Sequence, residues 1–523
     1  MTVSTALSRV TGFVRVWVTA YALGVTALAA SYHVANNIPN MVFELVAGGI
    51  ISSLFIPVFM ERWKQDSEQD AWRYASSLFN VTLIALGIIA VLATVFASEV
   101  VRTQTFRINP QDAELAVFFF QVFAVQIVFY GAGAIISGLL NAHRDFLWPA
   151  LGPVFNNLTV IVTLLLYVYF SAEDPLLAKW VLALGTTLGV LVMFSVQLPS
   201  LIKLKPQYTF RVDLRHPGLQ AMGRMAIPTI IYVVTNIVAV SFRNAYAFDV
   251  SLEGPAILSY AWMFYQLPYG VLAVSVATAF FTELSDAAGR KDDEVFRKRF
   301  AKGVSATAVL VIPSAAMLIA LATPLITLYR AGRFLAEDIE RVAAVLQWWA
   351  AGLFFFAAFM FVLRAFYSLK DTRTPMLVNL ALTVPHIGLY AILTTGALGF
   401  SGIGLVGIPI SDAMFYAAAF VVLIFLLRRK IGGFGGNTLV RTVAGMTVAS
   451  VVGGTLAAGI AHLMPNPDYS MKIALATVVV AGTFGLLATW GVARLLNIQE
   501  VSVAVNLVRK AVAVVTGRKG SRR

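Results

Sequence analysis

ASSLFNVTLIALGIIAVLATVFASEV, residues 75–100, carries no Lys or Arg and a single acid, Glu99, near its end. A helix needs about 20 mainly apolar residues to cross a hydrocarbon core roughly 30 Å thick. This stretch is long enough and apolar enough to do so. Similar runs recur along the whole 523-residue chain, with charge confined to the short gaps between them. The composition agrees: 59% of residues are AVILMFWYC and only 12% are charged. A soluble domain of this size would carry about 25% charged residues. The sequence therefore predicts an all-α polytopic membrane protein with about fourteen spanning helices.

The apolar runs place these helices near 3–24, 34–60, 75–100, 115–140, 148–171, 177–201, 219–246, 255–283, 301–328, 341–366, 375–395, 402–427, 442–463 and 471–497. The N-terminus Met1-Thr2-Val3-Ser4 has no basic region, so the first run reads as a retained helix and not a cleaved signal. Cysteine is absent, which excludes disulfides, thiolate metal sites and a Cys nucleophile.

The net charge of +13 is unevenly placed. Alternate loops hold Arg62 and Lys64, Arg144, Lys203 and Lys205, Arg290 and Lys291, Lys370 and Arg373, Arg428-Arg429-Lys430, and the tail ending in Arg522-Arg523. The opposite loops hold only Arg102, Arg107, Arg330, Arg333 and Arg341. The first set outnumbers the second by roughly five to one, and the positive-inside rule then puts both termini in the cytoplasm. Charge arranged this way suits anionic membrane lipids and not nucleic acid. Segment 498–517 has helical apolar spacing and is expected to lie along the inner surface.

The chain also repeats itself. Arg144-Asp145-Phe-Leu-Trp-Pro149 follows the fourth run and Lys370-Asp371-Thr-Arg-Thr-Pro375 follows the tenth. Pro39 and Pro268 occupy matching places in runs two and eight. Six helices separate the members of each pair, so the repeat is parallel, and two six-helix lobes related by a pseudo-twofold along the membrane normal are expected. Residues 1–218 would form the N-terminal lobe, 219–430 the C-terminal lobe, and 431–523 two further helices with the basic tail. Within each loop motif the Asp can cap the next helix and Pro suits its first turn.

Ionisable groups inside a membrane normally face a cavity or a partner. Run one holds Arg9 and Arg15; run two holds His33, Asn36, Asn37, Asn40 and Glu44; run seven holds Asn236, Arg243 and Asn244; run ten ends at Arg364. Guanidinium groups bind phosphate bidentately, so such a cavity points to an anionic, phosphate-bearing substrate. Other readings stand beside this one. Arg9, Arg243 and Arg364 can snorkel to headgroups, Glu44 can pair with an Arg, and His33 can be interfacial or a proton carrier. Asp412, with Asn236, can belong to a cation site, or it can form a buried pair. Gly432-Gly433-Phe434-Gly435-Gly436 lacks the Lys-Ser/Thr of a phosphate loop and reads as a linker. No catalytic constellation and no nucleotide-binding domain is evident, so a transporter and not an enzyme is expected, with no resident cofactor. Any coupling must use an ion (Na+, H+ or Cl−) or the membrane potential.

Leu7-Ser8-Arg9-Val10-Thr11-Gly12-Phe13-Val14-Arg15 resembles the SRxxGFxR opening of the MurJ/MviN family of lipid II flippases. Asn37-Ile38-Pro39-Asn40, Glu44 through Gly49, Gly138 through Pro153, and Arg364 through Pro375 continue the likeness over essentially the whole chain. The family belongs to the multidrug/oligosaccharidyl-lipid/polysaccharide exporter superfamily. The resemblance implies a two-lobed, fourteen-helix fold in the bacterial plasma membrane. It also implies alternating access that carries undecaprenyl-pyrophosphate-linked peptidoglycan precursor outward for cell-wall assembly, beside cell-wall polymerases. On this resemblance Ser8, Arg9, Arg15, Asn40, Glu44, His33 and Arg243 would bind substrate, and Gly12, Pro39 and Pro268 would serve as gate or hinge. The chain departs from the family pattern at Val16, Ala30, Phe43 and Met263, the last two replacing cavity arginines. Rival readings are a flippase for another polyprenyl-linked oligosaccharide and a polytopic polyprenyl-phosphate transferase.

Overall fold

A computed structural model describes residues 2–43, 55–65, 67–213, 217–397, 399–433, 436–465 and 470–498, and every regular element among them is helical. Two compact units meet in sequence at Ala256 and Ile257.

The first unit contains α1 (Thr2–Leu23), α2 (Ala27–Phe43), α3 (Ile56–Gln65), α4 (Glu68–Val95), α5 (Ala97–Thr105), α6 (Glu114–Phe123), α7 (Gln126–Ala142), α8 (Leu147–Phe170), α9 (Pro175–Ser195), α10 (Leu198–Lys203) and α11 (Pro217–Val250). The chain then forms α12 (Gly254–Pro268), α13 (Val274–Gly289), α14 (Asp293–Ala320), α15 (Ala322–Thr327), α16 (Ala336–Ser368), α17 (Arg373–Thr394), α18 (Gly407–Ile431), α19 (Gly436–Leu463) and α20 (Met471–Leu495). Local chemistry fixes many of the ends. Ser67 accepts from the Asp70 N–H, Asp174 from Leu176 and Leu177, and Asp292 from Val295, each satisfying donors that the first turn leaves open.

Among the described residues eleven helices are long and apolar enough to span a membrane, or twelve when the bent pair Pro110–Phe123 and Gln126–Ala142 is one span. These correspond to expected runs three to fourteen. In place of run one stands α1, which is long enough but carries Arg9 and Arg15.

Several expected boundaries move. The second helix begins at Ala27 and not at 34, because one left-handed residue, Gly24 at φ 62°, is enough to turn the chain. Thr26 Oγ1 then accepts from the Ala29 N–H and starts α2 at once. His33 and Pro39 therefore lie inside this helix. Glu44, Gly48 and Gly49 fall outside the described residues, as does the expected amphipathic tail. Run four is bent by 42° between α6 and α7. Run eight is interrupted after Pro268 by a π-helical turn, Tyr269–Ala273, before α13 continues. Proline has no N–H to give the preceding turn, which is the physical reason for a helix irregularity at this point.

The two most enclosed spans are α14 and α16, at 72% and 78% buried, against 22–39% for the others. They form the centre of the second unit, with α18 packed on α16 and α19 on α14. In the first unit α1 packs on α8, α8 on α9, and α11 on α5. The segment before α11 is strapped to α4. Tyr208 donates to Asn80 Oδ1 at 2.7 Å, the Asn80 amide donates to the Arg211 carbonyl at 3.0 Å, and the Asp213 N–H donates to Ser77 Oγ at 2.9 Å.

Lipid tails are as apolar as Leu, so packing between spans relies on close backbone approach at small residues. At Gly352 of α16 an added Cβ would lie 2.5 Å from Ala413 Cβ and 2.9 Å from its Cα on α18. Neither atom can swing aside. Gly352→Leu is expected to force α16 and α18 apart and to cost at least the 1–3 kcal/mol of an overpacked core. A lowered thermal unfolding midpoint of the detergent-purified protein, with reduced membrane yield, would register it; an unchanged midpoint would contradict this packing.

Candidate functional site

In the first unit polar chemistry converges on Arg15. It sits in the middle of α1, where Thr19 Oγ1 holds its carbonyl at 2.8 Å. Its charge reaches Tyr32 and His33 of α2 and Tyr130 of α7. The Tyr32 hydroxyl pairs with Thr186 Oγ1 of α9 at 3.1 Å, and its ring meets Phe119 and Phe123 edge-on. His33 packs edge-on against Tyr32. A guanidinium among two phenols and an imidazole is a group of donors suited to an oxyanion.

Two of the expected binding residues, Arg15 and His33, thus lie within electrostatic range of each other. Arg9 lies nearly two turns earlier on α1 and is exposed. Ser8 contributes its carbonyl, which accepts from Asn157 Nδ2 of α8 at 3.3 Å; the same amide donates to Thr11 Oγ1 at 3.0 Å. At Gly12 an added Cβ would meet Asn157 only at an ordinary 3.6 Å, so the α1–α8 contact does not depend on a missing side chain there. Asn40 is half-buried in the last turn of α2, and Pro39 is buried beside it.

Asn236 and Arg243 are half-buried on α11. Next to Arg243, Asn244 Nδ2 donates to Gln104 Oε1 at 2.8 Å, and Gln104 Nε2 donates to Ser241 at 2.5 Å. This buried amide cluster, with the Arg107–Asp249 pair at 2.6 Å, fastens α11 to α5. Sequence reasoning missed Gln104, Tyr32, Tyr130 and Asn157. Tyr32 is adjacent to His33 and could have been flagged by that neighbour; the others carried no local signal.

The second unit holds a different centre. Asp412 of α18 is buried and accepts from Trp349 Nε1 of α16 at 2.8 Å and from the Tyr390 hydroxyl of α17 at 2.5 Å. His386 Nε2, also on α17, stands 3.1 Å from the carboxylate. These contacts pair Asp412 with His386 inside the second unit. No group of three His, Cys, Asp or Glu residues suited to a metal ion occurs among the described residues. Arg364, in the last turn of α16, donates to Thr278 of α13 at 2.9 Å.

The repeated loop motif has matching geometry. Arg144 and Lys370 both adopt left-handed backbone, φ 62° and 58°, and the N–H of the following Asp closes on the helix just ended. Asp145 then binds Ser200 of α10, while Asp371 takes Lys430 Nζ of α18 at 2.7 Å and the Thr374 N–H and Oγ1 at 3.0 and 2.8 Å. Pro375, buried, lies in the first turn of α17. A third instance, Lys291 at φ 56° followed by the capping Asp292, joins α13 to α14. Its Pro is absent, which hid it from the sequence pattern.

The profile of the family described as Lipid II flippase MurJ matches residues 19–510. A lipid II flippase MurJ of Burkholderia cenocepacia is 28% identical over 387 residues, covering 73% of this chain and 74% of that protein. A probable lipid II flippase MurJ of Bdellovibrio bacteriovorus is 26% identical over 490 residues, with 91% and 90% covered. Among solved structures, a lipid II flippase MurJ in an inward closed conformation superposes with a TM-score of 0.75 at 22% identity, covering 92% of this chain and 97% of that one. An inward-facing multidrug resistance MATE family transporter of the MOP superfamily reaches 0.68 at 16% identity, covering 82% and 94%.

Burial alone would raise the Asp371 carboxyl, but the donors from Lys430 and Thr374 outweigh it and hold it below the usual carboxylate range. A depressed carboxyl contributes stability above its unfolded pKa and loses it as pH falls through the folded value. Lys430 is 44% exposed, so the clamp is worth only about 1 kcal/mol. Asp371→Asn should lower the melting midpoint of the purified protein by about 1 °C near pH 7, with the difference vanishing in acid below the carboxylate range. A difference that persists unchanged in acid would refute the assignment.

Proposed function

Because the chain belongs to the lipid II flippase MurJ family, we propose that Arg15, with Tyr32, His33 and Tyr130 around it, binds the pyrophosphate of lipid II. The chain is a multi-pass membrane transporter, and flipping lipid II is its activity. What supports this assignment is a half-buried arginine in the middle of α1, with Tyr32, His33 and Tyr130 in its electrostatic range on two other helices. A guanidinium on an otherwise apolar helix calls for an anionic partner, and a pyrophosphate supplies one bidentately.

Arg9, exposed two turns nearer the N-terminus, acts as the first contact for the head group, and Arg243 adds charge from α11. Binding in an inward-open state, closure of the cytoplasmic end and opening of the outer end move the head group while the polyprenyl tail stays in lipid. Pro268 and the π-helical turn after it give α12 and α13 a place to bend. The basic loops, including Arg144, Lys291, Lys370 and Arg428-Arg429-Lys430, face the cytoplasm and its anionic lipids. Both termini lie on that side, in the plasma membrane, where the flipped product is delivered to cell-wall polymerases.

Arg15→Ala is expected to reduce outer-leaflet lipid II by about ten- to a hundredfold, the worth of a charged hydrogen bond, in a strain depleted of its own flippase. Arg15→Lys keeps the charge without the bidentate fork and should recover part of the activity. Normal growth and normal surface lipid II in a well-inserted Arg15→Ala variant would overturn the role.

A further inference from the structure

Three helices of the first unit meet at two adjacent hydroxyls of α9, Thr186 and Thr187. Thr186 is buried, and its Oγ1 stands 3.1 Å from the Tyr32 hydroxyl of α2. Its own hydrogen goes to the Leu182 carbonyl at 2.7 Å. A hydroxyl has one hydrogen to give, so within this pair Tyr32 donates and Thr186 accepts. Thr187 makes two further bonds. It accepts from Gln126 Nε2 of α7 at 3.2 Å and donates to the Val122 carbonyl of α6 at 3.2 Å. These two bonds straddle the break between α6 and α7, where the chain bends by 42°. Backbone groups freed at a break inside a span are satisfied again by side chains of neighbouring helices. Thr187 does this from α9, and the buried Gln126 braces the start of α7 against the same oxygen.

Tyr130 lies one turn beyond Gln126, on the same face of α7. It packs with Val190 of α9 and meets the Phe194 ring edge-on at 6.0 Å. Phe194 also covers Gly133 of α7, where an added Cβ would overlap the ring. Thr186, Thr187, Val190 and Phe194 share one face of α9. The adjacent face sits hard on α8, and an added Cβ at Gly189 would stand 2.6 Å from Asn156 Oδ1. Helix α9 is thus a fixed backing for Tyr32 and Tyr130, the two phenols within electrostatic range of Arg15.

We propose that Thr186 and Thr187 are positioning residues for the pyrophosphate site: Thr186 fixes the Tyr32 hydroxyl, and Thr187 fixes the α6–α7 bend that carries Tyr130. The assignment rests on the reading of Arg15 as the pyrophosphate ligand, and neither threonine touches substrate in it. When an oxyanion reaches Tyr32, two hydroxyl hydrogens turn and no heavy atom moves. Thr186 then donates to Tyr32, and Tyr32 donates to the anion. The Leu182 carbonyl keeps its helix bond from the Thr186 N–H. A hydroxyl that itself receives a hydrogen bond donates a stronger one, so Thr186 strengthens the hold of Tyr32 on the anion.

The test is lipid II binding to the full-length protein in detergent, followed by native mass spectrometry, with hydrogen–deuterium exchange on the same preparations. Thr186→Val and Thr186→Ala each remove the hydroxyl and should weaken lipid II binding roughly three- to tenfold, the range of one hydrogen bond. Thr186→Ser should restore it. Tyr32→Phe should weaken binding to a similar degree, and adding Thr186→Val to it should cost nothing more, because Thr186 acts only through Tyr32. Thr187→Val should raise amide exchange across residues 122–127 several-fold and weaken binding, while Thr186→Val leaves that exchange alone. Unchanged binding in both hydroxyl-free Thr186 variants, or losses from Tyr32→Phe and Thr186→Val that simply multiply, overturns the role of Thr186. Unchanged exchange in Thr187→Val overturns the role of Thr187. Arg15→Ala separates this proposal from the reading it rests on. If Arg15→Ala weakens binding while the threonine variants bind as wild type, the positioning role fails and the Arg15 site stands. If Arg15→Ala itself binds as wild type, the site fails and the positioning role fails with it.

Discussion

Inside hydrocarbon no water is available to satisfy a backbone N–H or C=O, so each spanning segment must close its own hydrogen bonds. Almost everything else in this chain follows from that requirement. Every regular element among the described residues is helical, and breaks such as Gly24, the bend between α6 and α7 and the π-helical turn after Pro268 are chemically marked. The same shortage of water governs the side chains. Asn80, Gln104, Asn157 and Asp412 are buried polar groups, and each engages the backbone or a side chain of another segment of the chain. Polar contacts here act as fasteners between spans that lipid cannot hold together by hydrophobic force.

The two units use this vocabulary differently. In the first, the polar groups gather round a cation, Arg15, and the aromatic rings about it offer hydroxyl or imidazole groups. In the second they gather round an anion, Asp412, closed in by indole, phenol and imidazole. One centre is built round a guanidinium and the other round a carboxylate that already receives an indole N–H and a phenol O–H.

Apolar run length alone located most spans to within a few residues, because the bilayer demands nearly the same length from each. The start of α2 was missed since a single glycine can turn a chain in the space the sequence reading gave to a loop. The recurrence of Arg144-Asp145 and Lys370-Asp371 was legible as pattern, and the shared left-handed geometry explains it; Lys291-Asp292 escaped because the pattern had been tied to a proline. Arg15 and Asp412 stood out as charges in apolar surroundings. Their partners did not. Trp349, Tyr390 and Tyr130 are aromatic residues in aromatic-rich runs, and only the packing of distant helices singles them out.

Left-handed backbone outside glycine is strained, and asparagine is its usual alternative. Among the described residues, four of the five in this conformation are Arg144, Lys205, Lys291 and Lys370. Each follows a helix, where a cation also meets the negative end of the helix dipole. In the proposed orientation the same side chains belong to the cytoplasmic excess of charge. Glycine at these four sites would relax the backbone and weaken the topological signal in one stroke. The folded state and the insertion machinery therefore select in opposite directions at the same atoms, and a variant more stable once assembled would be assembled the right way round less often.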